Sequence, residues 1–190
     1  LSILRAQVSG WLEQCPPMTG PNWTSSLEMG IRLINWSLVW QLAGGADGPL
    51  FAGEQGQALR RAWLDSIYAH CRSIARHLSR HSSANNHLIG ELAGLYVATT
   101  AWPCWDQSAR WRDQAARELE HEAQAQFSSD GVNREQAFGY HVFSCEFLHV
   151  AALAGSGDVH ELVRVAHGKT FEQQQIQQTK DRRAGADADG

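Results

Sequence analysis

Apolar residues recur at helical spacing along most of the chain. The first stripe consists of Leu1, Leu4, Val8, Trp11 and Leu12. This spacing is typical of an amphipathic helix. The prolines that follow disfavour helix in the residue before them, so this helix is predicted to end at about Cys15. The same periodicity predicts further helices over about 23–42, 54–79, 87–100, 106–126 and 134–154.

Two of these helices have the clearest predicted core faces. In the second helix the apolar stripe consists of Trp23, Leu27, Ile31, Ile34, Leu38 and Leu42. In the third helix it consists of Leu59, Trp63, Ile67, Cys71, Ile74 and Leu78, and arginines occupy the opposite, solvated face. Asn22 or Thr24 is the predicted N-cap of the second helix, because a short polar side chain can accept a free N–H group there.

The pattern predicts an all-α fold of about six helices joined by short loops, since no stretch alternates apolar and polar residues as a strand would. Such a chain forms either a helical bundle or a toroid of antiparallel helix pairs, and periodicity does not choose between them. We assign residues 1–155 to one helical domain. Residues 156–190 are Gln-rich and then small and charged, and are predicted to be a mobile polar tail.

Charge and cysteine content narrow the function classes. A net charge of −4 and a pI near 6.1 argue against a general binder of nucleic acid or anionic membranes. No apolar run approaches the ~20 residues that a membrane span requires. The cysteines are widely spaced without a CxxC pair, so no metal site is indicated. The chain begins without Met or a signal-peptide pattern, which predicts that it is a fragment of a longer protein.

Three segments carry more polar and aromatic residues at predicted helix starts than a plain bundle needs. They are residues 21–28, 83–91 and 130–141. Helix N-termini present free N–H groups and a partial positive charge. Three such ends that converged would therefore suit a carboxylate or a sulfate.

These segments together resemble the toroid domain of heparinase II/III-type polysaccharide lyases. The resemblance rests on Asn-Trp-x-x-Ser-x-Glu from Asn22, Asn-Asn-His-Leu-x-x-Glu from Asn85, and Asp-Gly-x-x-x-Glu-Gln-x-x-x-Tyr-His from Asp130. It covers residues 1–155 and implies an incomplete α/α toroid. In that family a β-sandwich domain follows, and the substrate lies in the cleft between the two domains. That β-sandwich is missing from this chain. The resemblance also implies a periplasmic location.

The chemistry that the resemblance implies is β-elimination at a uronic acid of an acidic polysaccharide, without a metal or redox cofactor. Asn86 would neutralise the uronate carboxylate, with His87 beside it, and Tyr140 would give a proton to the leaving oxygen. In some members the tyrosine is also the base, for which a nearby positive charge would be needed. The implied substrate-binding residues are Asn22, Trp23, Glu28, Arg134, Glu135 and His141, of which Arg134 and His141, like His87, could supply that charge.

Several of these residues have alternative structural interpretations. Asn85 and Asn86 could form only a turn and an N-cap, and Tyr140 could be a half-buried packing residue. Asn22, Trp23 and Glu28 could merely cap and pin the second helix. Two other functions also stay open, namely a non-catalytic carbohydrate-binding domain and a toroid glycoside hydrolase that uses Glu91 and Glu135.

Overall fold

The computed structural model describes residues 1–81, 84–135 and 137–155. The described part contains six α-helices and no strand beyond one isolated bridge between Phe127 and Asn133. The helices are α1 (Ser2–Gln14), α2 (Ser26–Leu42), α3 (Gly53–Arg76), α4 (Asn86–Ala101), α5 (Ser108–Gln126) and α6 (Phe138–Ala154). The predicted all-α class is confirmed. The predicted tail, 156–190, lies outside the described residues.

Helix α4 is the centre of the fold and packs against α2, α5, α6 and α3. Nearly all of its side chains are buried, which is why its sequence is apolar all round rather than on one face. Close approach to α2 depends on glycines, since a Cβ on Gly30 would lie 2.7 Å from the carbonyl oxygen of Gly90. Any larger residue at Gly30 would therefore push the two backbones apart.

Helices α2, α4 and α6 run in the same direction. Leu27, near the start of α2, and Phe147, in the middle of α6, both lie against Gly90 in the first half of α4. Near their C-terminal ends Leu38, Thr100 and Val150 line one groove. The starts of these three helices, where the three polar segments of the sequence lie, are therefore at the same end of the molecule.

Tryptophan is mainly a core residue in this protein. Five of the eight, Trp23, Trp40, Trp63, Trp102 and Trp111, are buried. Trp63 is the most enclosed and makes edge contacts with Trp36 and Trp40 at ring-centroid distances of 5.9 and 5.4 Å. Aromatic pairs prefer such edge geometry because of the ring quadrupole. The high tryptophan content therefore reflects packing between helices.

Three details of the sequence prediction are wrong. The N-cap of α2 is Ser25, which accepts the main-chain N–H of Glu28, rather than Asn22 or Thr24. Leu38 and Leu42 are exposed, because Leu33 and Trp40 occupy the buried face of α2 instead. Helix α6 begins at Phe138 and not near Arg134, because the preceding residues make long-range hydrogen bonds in place of a helical turn.

Candidate functional site

The start of α4 presents a buried asparagine to the segment before α6. Asn85 is the N-cap, and its Oδ1 accepts the main-chain N–H of His87 at 3.0 Å. The next residue, Asn86, is buried. Its main-chain N–H donates to Glu135 Oε1 at 2.8 Å, and its side-chain Nδ2 lies 2.9 and 2.8 Å from the two carboxylate oxygens. A carboxylate therefore already occupies the N-terminus of α4.

The segment between α5 and α6 holds Glu135 in that position. Asn133 forms an antiparallel bridge with Phe127, and its Oδ1 accepts the main-chain N–H of Glu135 at 2.9 Å. The main-chain N–H of Arg134 donates to the carbonyl of Gln126 at 2.8 Å. These bonds consume the donors that a helical turn would use, which explains the late start of α6.

The first turn of α6 carries the predicted catalytic tyrosine. Tyr140 is 51% exposed, and Phe138, two residues earlier, is 82% exposed. His141 is half-buried, and its Nδ1 accepts the main-chain N–H of Asn133 at 3.3 Å. An accepting Nδ1 describes the neutral ring with its proton on Nε2. In this arrangement His141 is not a source of positive charge for Tyr140, so Arg134 and His87, both exposed, stay as candidates.

The structure thus connects some of the predicted site residues and leaves others to solvent. Asn86, Asn133, Glu135 and His141 form one hydrogen-bonded group, which we call the polar cluster. Tyr140 precedes His141 on the same helical turn, and His87 is exposed beside Asn86. Asn133 belongs to a predicted segment but was not singled out by sequence reasoning. Its only sequence signal is an Asn two residues before Glu135, a spacing typical of a side-chain-capped turn.

The segment before α2 is packed differently. Trp23 is only 6% exposed, and its indole N–H donates to the carbonyl of Cys15 at 3.3 Å. Its ring lies 4.1 Å from the ring of His70, centroid to centroid. Asn22 donates to Cys15 Sγ and its carbonyl accepts from Arg32. The alternative of pinning helix α2 accounts for these contacts of Trp23.

Helix α3 adds a buried histidine that the sequence pattern did not indicate. His70 is enclosed by the rings of Trp11, Trp23 and Trp36. We call these four residues the aromatic cluster. Nε2 of His70 accepts from Arg32 at 2.9 Å, and Nδ1 donates to the carbonyl of Ser66 at 2.7 Å. Burial, assisted by Arg32, lowers the pKa of His70 to about 4. The aromatic cluster therefore contains a neutral histidine.

The two carboxylates considered for a hydrolase are both held in structural hydrogen bonds. Glu91 is buried and accepts the main-chain N–H and the Oγ–H of Ser79, each at 2.6 Å. Burial raises the pKa of Glu91, and the bonds from Ser79 oppose that rise. Glu135 is bound to Asn86. Neither carboxylate is presented as a free acid or base.

The described side chains and helices also bear on metal binding and membrane insertion. Among residues 1–81, 84–135 and 137–155, no group of three or more His, Cys, Asp or Glu side chains is placed to hold a metal ion. None of the helices in these same ranges combines the length and the apolar character needed to cross a bilayer.

The described helices form an all-α domain whose helix starts gather a buried amide, a carboxylate and an exposed tyrosine. Residues 4–176 match the family model described as Heparinase II/III N-terminus, and the chain belongs to this family. The predicted resemblance is confirmed at this level.

Individual relatives agree with this assignment. The chain is 27% identical to a heparin-sulfate lyase of Bacteroides thetaiotaomicron over 135 residues. This alignment covers 70% of this chain and 18% of that protein. The crystal structure of heparan sulfate lyase HepC from Pedobacter heparinus superposes with a TM-score of 0.66 at 19% identity, over 89% of this chain and 27% of HepC. A HepC mutant structure gives 0.62 at 19% identity, over 85% and 26%. The chain thus spans less than a third of each relative, and the structural likeness establishes the fold.

Proposed function

We propose that this chain is the helical part of a polysaccharide lyase that cleaves uronate-containing glycans of the heparan sulfate or alginate kind by β-elimination. The observation that carries the proposal is the buried amide of Asn86, bound to a carboxylate at the start of α4, at the same end of the fold as the exposed Tyr140. Membership of the heparinase II/III family and the similarity to a heparin-sulfate lyase support it.

In this proposal Asn86 stabilises the charge that develops on the uronate. Removal of the C5 proton leaves negative charge that spreads onto the adjacent carboxylate, and a preorganised N–H donor stabilises that charge in the transition state. Nδ2 of Asn86 carries two hydrogens. One can stay with Glu135 while the other meets the substrate, so Glu135 holds the amide in orientation and Asn86 contacts the substrate.

Tyr140 then completes the elimination. Tyr140 acts first as the base, so its phenolate takes the C5 proton. The electron pair left at C5 forms the C4–C5 double bond and expels the 4-linked sugar, whose oxygen then takes that proton from the Tyr140 phenol. The tyrosine lies in the first turn of α6, at the positive end of the helix dipole. Exposed Arg134 and His87 are the side chains of this end that could add to that field.

The remaining parts of the proposal concern partners and place. The acidic polysaccharide would be enclosed by a β-sandwich domain of the same protein, and the enzyme would work in the periplasm without a metal or redox cofactor. Asn22, Glu28 and Arg134, which are exposed, would contact the substrate at the edge of the site. His141 would contribute as a neutral ring, in line with its hydrogen bond from Asn133.

An ultraviolet elimination assay tests the proposal. Heparan sulfate, heparin and alginate are incubated with the 190-residue chain and with the full-length product of its gene. Elimination creates an unsaturated uronate that absorbs in the near ultraviolet. Tyr140→Phe removes the proton donor, so we expect the rate to fall by about 100- to 10,000-fold. Tyr68→Phe, which removes a hydroxyl at the remote contact with Trp105, serves as the matched control and should keep the rate.

A carbohydrate-binding domain is the second candidate, favoured by the engagement of the buried Asn86 with Glu135 inside the protein. It predicts glycan binding without the chromophore in every form of the protein. A hydrolase predicts new reducing ends without the chromophore. The hydrogen bonds from Ser79 to Glu91 disfavour a hydrolase, because they occupy one of its two carboxylates. Full elimination by the Tyr140→Phe protein would contradict the role of this residue.

A further inference from the structure

Asn133 lies between the two helix starts of the proposed site and is only 1% exposed. Its main-chain N–H donates to Nδ1 of His141, and its side-chain Oδ1 accepts the main-chain N–H of Glu135. Glu135 in turn accepts the main-chain and side-chain N–H groups of Asn86. One buried residue therefore links the first turn of α6 to the first turn of α4.

We propose that Asn133 is the positioning residue of this site, which orients the Asn86 amide through Glu135 and sets the tautomer of His141 through its own main-chain N–H. The chemistry that these two groups serve rests on the proposed function, but the positioning itself does not. Asn133 is not a catalytic residue, since its polar atoms are bound to Glu135, His141 and Ser144 inside the protein.

The orientation of Asn86 depends on the turn that Asn133 closes. An Asn side chain that accepts the N–H two residues later forms a compact turn and restricts the backbone between them. Here that backbone carries Glu135, whose carboxylate must reach Asn86 across 49 positions of sequence. Nδ2 of Asn133 lies 3.5 Å from Oγ of the buried Ser144, which keeps Oδ1 directed at Glu135.

The tautomer of His141 depends on the main chain of the same residue. Because Nδ1 accepts an N–H, the ring proton is on Nε2, which faces Sγ of Cys145 at 3.8 Å. A ring held in this way can donate from Nε2 only. If the turn at Asn133 relaxed, Nδ1 would lose its donor, and both tautomers would become accessible.

Nuclear magnetic resonance of the 190-residue chain tests both links without any need for turnover. In the wild type we expect the nitrogen shifts of His141 to report the Nε2–H tautomer and the side-chain amide protons of Asn86 to exchange slowly. In Asn133→Ala the amide of Asn86 should exchange about tenfold faster, as expected for the loss of a hydrogen-bonded support. His141 should then show a mixture of tautomers. Asn133→Ser keeps an oxygen acceptor in a similar turn and should restore most of both signals.

The controls separate positioning from stability. Asn35→Ala removes an exposed side chain that donates to the carbonyl of Ile31, and it should leave Asn86 and His141 unchanged. A wild-type His141 with its proton on Nδ1 would overturn the proposal even if Asn133→Ala failed to fold. Wild-type signals for both residues in a folded Asn133→Ala protein would overturn it as well. Absence of elimination activity would count against the proposed function alone, because neither signal depends on substrate.

Discussion

Two regions at the same end of this molecule use similar residues for different purposes. The segment before α2 brings Trp23 into the aromatic cluster, where indole rings surround a neutral His70. The starts of α4 and α6 build the polar cluster, where amide and carboxylate groups bind one another beside the exposed Tyr140. In one region the polar group is enclosed by aromatic rings, whereas in the other buried amides lie beside an exposed tyrosine.

The difference shows that surroundings, more than residue type, decide what an asparagine or a histidine can do. His70 is held from both sides by Arg32 and Ser66 and has no route to a ligand. His141 also accepts a hydrogen bond, but it sits on a helical turn whose neighbour Tyr140 is half-exposed. We therefore expect substitutions in the aromatic cluster to act on stability and substitutions near the polar cluster to act on chemistry.

The largest stability effect should come from Trp23→Ala. The side chain is buried against His70 and donates to Cys15, so its removal leaves a cavity and an orphaned carbonyl. We expect the free energy of unfolding to fall by about 3–5 kcal/mol, as for other buried aromatic residues. Urea denaturation followed by tryptophan fluorescence and circular dichroism would measure it.

Phe138→Ala is the matched control, since it also truncates an aromatic residue at a helix start. Phe138 is exposed, so its loss should change stability by no more than about 0.5 kcal/mol. Equal losses in the two variants would break the contrast between the two regions.

The second effect is a loss of stability in acid that comes from His70. Burial lowers the pKa of His70 from its ordinary 6.5 to about 4 in the folded protein. Between these pH values His70 is protonated in the unfolded chain and neutral in the folded protein. The free energy of unfolding therefore falls as the pH is lowered through this window. We expect His70 to cost about 2–3 kcal/mol between pH 7 and pH 4.5. Urea unfolding at the two pH values measures the loss.

Other groups also titrate in this range, so the decisive quantity is a difference between variants. His70→Gln should lose less stability on acidification than the wild type, whatever its stability at pH 7. His121→Gln replaces an exposed histidine of α5 and should follow the wild type. If His70→Gln and His121→Gln showed the same pH dependence, the aromatic cluster would not hold a neutral histidine.

The order and approximate extent of the helices could be predicted because helical periodicity records burial locally. The start of α6 could not, since Glu135 before it binds Asn86, 49 positions away in sequence, and Arg134 binds back to the end of α5. The buried face of α2 was also partly wrong. Both faces of that helix are apolar, and only packing against α4 shows that Leu33 is buried and Leu42 exposed.

The candidate site was predictable to a similar degree. Sequence motifs indicated Asn86, Glu135, Tyr140 and His141, but they did not indicate the link through Asn133, because a turn that joins two helices is a tertiary feature. Trp23 matched the same family pattern and is nevertheless buried. A motif records which residues occur together, whereas exposure depends on the rings and carbonyls that surround each one.

The smallest effect concerns Ser79→Ala, on the loop that precedes α4. Ser79 gives Glu91 two of its hydrogen bonds, and the loop leads to the polar cluster. Removal of the hydroxyl leaves the main-chain N–H in place, so we expect a loss of about 1–2 kcal/mol at pH 7. This loss of stability should be smaller than that of Trp23→Ala, because one donor is removed and no large cavity forms. Thermal and urea unfolding would both register it.

The pH dependence of this loss identifies its cause. Burial raises the pKa of Glu91, and loss of the Ser79 hydroxyl should raise it further. Between the ordinary and the raised pKa the folded protein binds a proton that the unfolded chain releases, so the penalty of burying the charged carboxylate disappears as the pH falls. The difference between Ser79→Ala and the wild type should therefore shrink in acid. Thr24→Ala, which removes an exposed hydroxyl bonded to the carbonyl of Pro21, should show no such trend. A difference that stayed constant with pH would mean that Ser79 acts through packing and not through the charge of Glu91.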